Sequence, residues 1–457
     1  MDKQLLKKFN QFQQKTGKYL DFELDEVEFE EISFSKTTVF TFVKGLNKYI
    51  RAYIDHNAGD VPVVGSSLEN DCITSYIKPI AESDIIQKPC VSFNKDNAKG
   101  SRAFFRYYPF VMDRHHLAII PNVKTVFVKY LYQFLDYFLQ TKSYGWGENV
   151  ATVDEIQNYS LPIPKSQNKA YTSLKIQEIL VEFIEFYQNK TNEKLDIIED
   201  ITTKIANAES LLLPLLFVKH PSVCKRFDAF CEGKKIDLKL EDLEFEFKKI
   251  HSDSEDELIC KKRMGFTPLR VSNGDMNWFT VSDLTKNTGF YIDEPNTKEK
   301  TTIELIKKKI PETSDKFIPL KKGDILVSFK LTVGLVKIYN SELPAYCNEA
   351  IDILTPFDDI DSRFLAYNCI LEYPKYGEKT NNGITLNDEI KKSINIKIPK
   401  ATSEYTSFQL QLLLVEFIES YFAKMTEKKD FTVSLKQLFT SRNKMIIQKT
   451  FKTKAKV

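Results

Sequence analysis

A chain of 457 residues, 42% hydrophobic and 12% aromatic, can bury ample core, and its length suggests two to four domains. A net charge of +2 neither supports nor excludes a nucleic-acid partner, because a DNA binder of this size needs only a local basic face. No run reaches the ~18 uninterrupted apolar residues of a membrane span, and the start MDKQLLKKFN is too polar for a signal peptide, so a cytoplasmic protein with no membrane association is expected.

Taken in order, the chain divides into a variable domain (about residues 1–167), a long helix (about 168–217), a second variable domain (about 218–402) and a second long helix (about 403–457). In the first helix Ile176, Ile179, Leu180, Phe183, Ile184 and Tyr187 recur at three- and four-residue steps, and the pattern resumes at Leu195, Ile198, Ile201 and Ile205. Leu410, Leu413, Leu414, Phe417, Ile418, Tyr421 and Met425 repeat the pattern in the second. Thr172 or Ser173, and Thr406 or Ser407, supply capping oxygens, and Pro214 is expected to end or kink the first helix. From Thr172 to Leu213 the helix runs roughly 60 Å at about 1.5 Å per residue. That is too long for one small domain. Its own copy is the economical partner, so Ile176, Leu180, Phe183, Ile184 and Tyr187 are expected to form a seam with Leu410, Leu414, Phe417, Ile418 and Tyr421. The bland alternative is that each helix packs on its own domain.

The two helices are copies. YTSLKIQEILVEFIEFYQNKTNEKLD from Tyr171 and YTSFQLQLLLVEFIESYFAKMTEKKD from Tyr405 align without gaps at an offset of 234 and share 15 of 26 residues. The likeness extends beyond them. Leu161-Pro162-Ile163-Pro164-Lys165 corresponds to Lys397-Ile398-Pro399-Lys400, and Val91-Ser92-Phe93 with Gly100 resembles Val327-Ser328-Phe329 with Gly334. One long unit has been duplicated once. The expected fold is α+β: two mixed α/β domains joined by two long helices packed as an antiparallel coiled coil, with pseudo-twofold internal duplication.

Catalytic signals are missing. There is no GxxxxGK[ST] phosphate loop and no FxGxG with a downstream [DNS]PP[YF], so neither ATP hydrolysis nor S-adenosylmethionine binding is expected of this chain. Seven cysteines show no CxxC pair and read as reduced, buried thiols. Five histidines include the pair His115-His116, which has no cysteine partner and no carboxylate nearby beyond Asp113; no metal site is expected.

Asp60-Val61-Pro62-Val63-Val64-Gly65-Ser66-Ser67, followed by Asn70-Asp71-Cys72-Ile73-Thr74-Ser75-Tyr76-Ile77, resembles the opening of a type I restriction–modification target-recognition domain. Thr267-Pro268-Leu269-Arg270-Val271-Ser272 with Met276-Asn277-Trp278 resembles the alternative opening. Lys322-Gly323-Asp324-Ile325-Leu326-Val327-Ser328-Phe329-Lys330-Leu331-Thr332-Val333-Gly334, then Cys347-Asn348-Glu349-Ala350, is the most specific stretch. The likeness covers nearly the whole chain and is to the specificity subunit family. It implies a non-catalytic reader of double-stranded DNA, each domain taking one half of a bipartite, asymmetric target, with the helix pair setting the gap. It also implies two methyltransferase subunits acting on adenine N6, and restriction subunits that translocate and cleave. S-adenosylmethionine, ATP and Mg would sit on those partners, with no cofactor here. A type IIB-like specificity subunit shares this architecture, and a coiled-coil scaffold binding proteins is the rival of another class.

For DNA contact, the loop from Asn94 through Lys95, Asn97 and Lys99 to Arg102 joins a flexible glycine, amides suited to adenine edges and cations suited to phosphate or guanine. Its bland reading is a solvated loop. Arg106, Arg114 and His115-His116 extend this face, and Trp146 lies between two glycines in either a DNA-touching loop or a tight core turn. Arg270, Asn273, Lys330, Lys379 and Asn381 are the parallel candidates in the second domain.

Overall fold

The computed structural model describes residues 3–19, 24–95, 100–142, 144, 150–267, 271, 273–296, 300–380 and 383–451. The chain forms two compact units: Met1–Ile201 with Thr432–Val457, and Thr202–Phe431. Each therefore holds one domain and a part of both long helices, Ser173–Phe217 and Ser407–Thr450.

In the first unit an amphipathic helix, Lys3–Thr16, buries Leu5, Phe9 and Phe12 at three- and four-residue steps. The domain is then closed by its first and last strands, Phe29–Ser33 and Ser160–Pro164, which pair antiparallel with Phe29 opposite Pro164. The main sheet is antiparallel in the order Phe40–Lys44, His116–Pro121, Cys90–Asn94, Ala103–Arg106, and helix Val128–Lys142 packs on its last two strands. A smaller sheet has Ala58–Val64 at its centre, antiparallel to Ile73–Ile77 and parallel to Val111–Met112.

The second unit repeats this plan. Helix Pro221–Gly233 buries Phe227, and Phe245–Lys249 pairs with Asn395–Pro399, Phe245 opposite Pro399. Its main sheet runs Cys260–Met264, Ile351–Pro356, Ile325–Ser328, Val336–Tyr339, with a short fifth strand, Tyr291–Ile292, and helix Ser362–Glu372 packs on the third and fourth strands. Met276–Phe279 is antiparallel to Lys300–Thr301 and parallel to Ala345–Cys347. A third small sheet joins Lys330–Leu331, Gly383–Thr385 and Glu378–Thr380.

The strand pairings correct one sequence correspondence. Val91 lies opposite Ile119, and Ile325 lies opposite Leu354 in the matching pair of strands. Val91 therefore corresponds to Ile325 and Asn94 to Ser328, two residues from the expected match of Val91-Ser92-Phe93 to Val327-Ser328-Phe329. A two-residue slip preserves the alternation of a strand, so side-chain pattern alone does not detect it.

The long helices also depart from expectation. Pro214 lies inside Ser173–Phe217, three residues from its end, so the N–H it lacks and its clash with the Ser210 carbonyl fall in the final two turns and leave the rest of the helix unbroken. The apolar stripe serves mainly its own domain. Phe183 packs edge-on against Phe9 and Phe12, at 5.1 and 5.7 Å between ring centroids, and the Tyr187 hydroxyl donates to the Lys8 carbonyl at 3.0 Å. Phe417 packs likewise on Phe227 and Phe230, and Arg226 donates to the Tyr421 hydroxyl at 2.7 Å. Each edge-to-face pair contributes about 0.5–1.5 kcal/mol beyond area burial. Ile176, Leu180 and Ile184 share their core with Ile446, near the end of the other long helix, and Phe451 just beyond it, and Phe451 packs tilted on Tyr130 and edge-on to Phe134. In the second unit Leu410, Leu414 and Ile418 share a core with Leu212 and Leu213. Sequence periodicity reports which residues are buried but not what buries them. It could not distinguish a seam between long helices from a seat for a short helix.

Candidate DNA-reading face

At one end of its main sheet each unit carries a loop built by the same bonds in both, with a second segment beside it fastened by one side chain in each. The first, residues 112–116 and 347–351, is admitted by a glycine. Gly45 N–H donates to the His116 carbonyl and Leu46 N–H to the Met112 carbonyl; Gly265 and Phe266 donate in the same way to Ile351 and Cys347, all at 2.9–3.0 Å. A Cβ on Gly45 would lie 1.6 Å from the Asp113 carbonyl oxygen, and one on Gly265 would lie 2.1 Å from that of Asn348. No side chain fits at either glycine while the loop stays where it is. Asp113 and Asn348 then fold the loop over themselves, accepting from His115 N–H at 2.8 Å and Ala350 N–H at 3.2 Å.

The second segment, of which Lys95, Gly100 and Ser101 are described in the first unit and residues 329–334 in the second, is fastened by the side chain that ends the adjoining strand. Asn94 donates to the Gly100 carbonyl and accepts from Arg102 N–H; Ser328 donates to the Thr332 carbonyl and accepts from Leu335 N–H. Gly100 and Gly334, at φ of +94° and +86°, turn the chain back where an L side chain is disfavoured. The paired loops touch through Lys95 N–H to His115 O and Phe329 N–H to Ala350 O, each 3.0 Å.

Against this frame the candidates sort themselves. Asn94 is fully buried and its amide serves the loop, so it is corrected from a base contact to a brace. Arg106 is also corrected: it is 1% exposed and donates to Ser92 Oγ, the Tyr108 hydroxyl and the Asp71 carbonyl. Three aromatic rings, Phe104, Tyr108 and Phe110, surround its guanidinium. A cation in a sequence pattern looks the same whether it faces DNA or a hydrogen-bonded interior. Arg102 is half-exposed and chelated by Asp136 at 2.8 and 3.1 Å, while Lys95 remains part-exposed beside His115. Asn97, Lys99 and Trp146 lie outside the described residues.

Next to Arg114 and His115 is a cleft of about 670 Å³, also lined by Asn47, Arg51, Ser66 and Thr74. Residue types alone gave no signal for it. Gly45 beside a later loop is the feature that positions it. His116 faces inward: it is fully buried, both ring nitrogens lack a partner, and burial, then the charge of Arg106, pushes its pKa down to about 3.

In the second unit Lys330 is exposed on the small sheet opposite Thr385, and Lys379 sits in the same sheet opposite Ile384; Asn381 and Arg270 lie outside the described residues. Asn273 is exposed on another segment. Behind the small sheet Lys391 and Asp352 form a buried ion pair at 2.9 Å, and Lys391 also lies over the Phe329 ring. Burial pushes the Asp352 carboxyl up and the Lys391 ammonium down, and each opposes the shift in the other.

Among the described residues no group of three or more His, Cys, Asp or Glu side chains is arranged to hold a metal, and no single helix is long and apolar enough to cross a membrane. All seven cysteines are buried and unbridged.

Residues 37–203 and 257–437 each match the family model of the type I restriction modification DNA specificity domain. No curated protein matches the chain. Among solved structures, a chain from a type I R-M system, studied for complex assembly and conformational transition, is 15% identical with a TM-score of 0.52, covering 90% of this chain and 97% of that one. This likeness shows the fold. An HsdS subunit from Thermoanaerobacter tengcongensis is 13% identical with a TM-score of 0.44, covering 94% and 95%. A type I restriction–modification S subunit from M. genitalium is 13% identical with a TM-score of 0.31, covering 93% and 97%.

Proposed function

The chain belongs to the type I restriction–modification DNA specificity family and recognises DNA, and from that premise we propose that it is the non-catalytic reader of a bipartite, asymmetric target. Each domain reads one half-site. The long helices pair antiparallel about a pseudo-twofold axis and set the gap. Two methyltransferase subunits dock on the assembly and methylate adenine N6, one on each strand, and restriction subunits join them. S-adenosylmethionine, ATP and Mg bind on those partners.

The observation that carries this reading is the repeated pair of loops. Their glycine entry and Asx turn recur bond for bond, the side-chain staple recurs with shifted partners, and the residues presented at 114 and 349 differ in charge. A frame kept constant with changed tips fits two readers of different sequences. Supporting the helix arrangement, Thr191 bonds Asn443 at 3.1 Å and Lys194 lies 4.9 Å from the Phe439 ring centroid in the first unit, and Glu209 pairs with Lys429 in the second. The test is to express the chain with a methyltransferase partner and map adenine methylation. A two-part motif with a fixed gap is expected; methylation without sequence preference would refute the reading.

A further inference from the structure

The chain order of each 112–116-type loop gives an equivalence that neither sequence half shows alone. Asp113 and Asn348 fold the two loops identically: each accepts from the residue two positions on, and each donates its own N–H to the smaller sheet, Asp113 to the Val64 carbonyl at 3.0 Å and Asn348 to the Phe279 carbonyl at 2.9 Å. The residues between these anchors, Arg114 and Glu349, therefore occupy the same position in the two units. Both are exposed, and they carry opposite charge. Arg114 Nε donates to His115 Nε2 at 3.1 Å, and the residue lines the polar cleft. Glu349 accepts from the Thr267 hydroxyl.

We infer that Arg114 and Glu349 are the specificity-determining residues of this loop, each contacting a base edge at the corresponding place in its half-site. The inference rests on the two-reader function above. An arginine fork matches the two acceptors of guanine in the major groove, and a carboxylate accepts from the amino group of cytosine. Arg114 accordingly selects a guanine in one half-site and Glu349 a cytosine in the other. A carboxylate at an exposed tip of a DNA-facing loop is repelled by the phosphate backbone, so its presence fits base readout better than backbone anchoring. Gly45 and Gly265 leave the space that the backbone of both loops occupies beside residues 113 and 348.

The experiment uses the full chain with its methyltransferase subunit and a library of targets varied one base pair at a time. Arg114→Ala is expected to relax discrimination at one guanine of one half-site by about 5- to 150-fold, leaving the other half and the gap unchanged. Glu349→Ala should do the same at one cytosine of the other half-site. Arg114→Lys keeps the charge and loses the fork, so it should also relax that position. A uniform loss over all targets in Arg114→Ala, restored by Arg114→Lys, identifies a phosphate contact and overturns the inference. So does unaltered discrimination in both alanine variants. If the wild-type complex itself shows no two-part motif, the two-reader function fails first, and this inference with it. Both side chains are exposed, and melting temperatures within a degree or so of wild type are expected for each variant.

Discussion

Gln177 and Gln411 make the same three hydrogen bonds in their respective units. Gln177 accepts from Phe127 N–H at 2.8 Å and donates to the Thr125 carbonyl at 3.0 Å and Ser173 Oγ at 3.2 Å. Gln411 accepts from Asp361 N–H at 3.0 Å and donates to the Asp359 carbonyl at 3.0 Å and Ser407 Oγ at 3.3 Å. Both are fully buried, so each carboxamide fastens the start of a long helix to the loop entering the domain helix. Beside them Glu185 pairs with Lys129 at 3.2 Å and Glu419 with Arg363 at 3.3 Å. The joint between domain and helix is thus a duplicated part, as the proposed fixed gap between half-sites requires.

Replacing either glutamine by leucine should leave a buried N–H and C=O without partners, at a cost of about 1–3 kcal/mol for each orphaned group. Chemical denaturation is the measurement. Gln177→Leu should destabilise the first unit and Gln411→Leu the second, by similar amounts. A loss below about 0.5 kcal/mol would mean the fastening is not structural.

His116 supplies a pH dependence. Its ordinary value of 6.5 falls to about 3 in the folded chain, first through burial and then through Arg106. The unfolded chain takes up a proton near its ordinary value that the folded chain refuses. The associated stability is complete above that value and is lost as pH falls toward the folded value, at about 1.4 kcal/mol per pH unit. Between about pH 7.5 and about pH 5, wild type should lose roughly 2 kcal/mol more than His116→Leu in urea unfolding. Parallel losses would contradict the assignment.

Lys330 is exposed on the small sheet of the second unit, where a cation suits a phosphate. Lys330→Ala should weaken binding to all sequences alike and reduce the salt dependence by about one unit of slope. Binding titrations across ionic strength check this. Relaxed preference at one base pair with an unchanged slope would instead mark a base contact.

Under the proposed function the gap is a length set by the helices. Removing four residues near Asn192-Glu193 and four near Thr426-Glu427 should shorten the preferred gap by about one to two base pairs, since a helical residue adds about 1.5 Å and a base pair about 3.4 Å. Methylation mapping should return the same half-sites. Altered bases with an unaltered gap would exclude the helices as the ruler.

The duplication and the two long helices were legible because apolar identity at an offset of 234 survives in Val181-Glu182-Phe183-Ile184-Glu185 and its copy. Gln177 and Gln411 were also visible there, as identical polar residues in an apolar repeat, but a glutamine on a helix reads as surface until its partners are known. The reading face was less legible. Asn94 and Arg106 have the residue types of DNA contacts, yet burial assigns them to the scaffold. Glu349 has the wrong charge for a phosphate contact, so its residue type gives no sign of a place on the reading face. Gly45 and Gly265 differ in their flanking residues, so only the close approach of residues 113 and 348 reveals that they are the same part.

The central claim is that two domains read independently. Replacing residues 218–401 with the matching segment of another specificity subunit, expressing the hybrid with its methyltransferase partner and mapping adenine methylation tests it most directly. The account predicts a hybrid target in which one half-site changes to that of the donor while the other half-site stays the same. A change in both half-sites, or in neither, would contradict it.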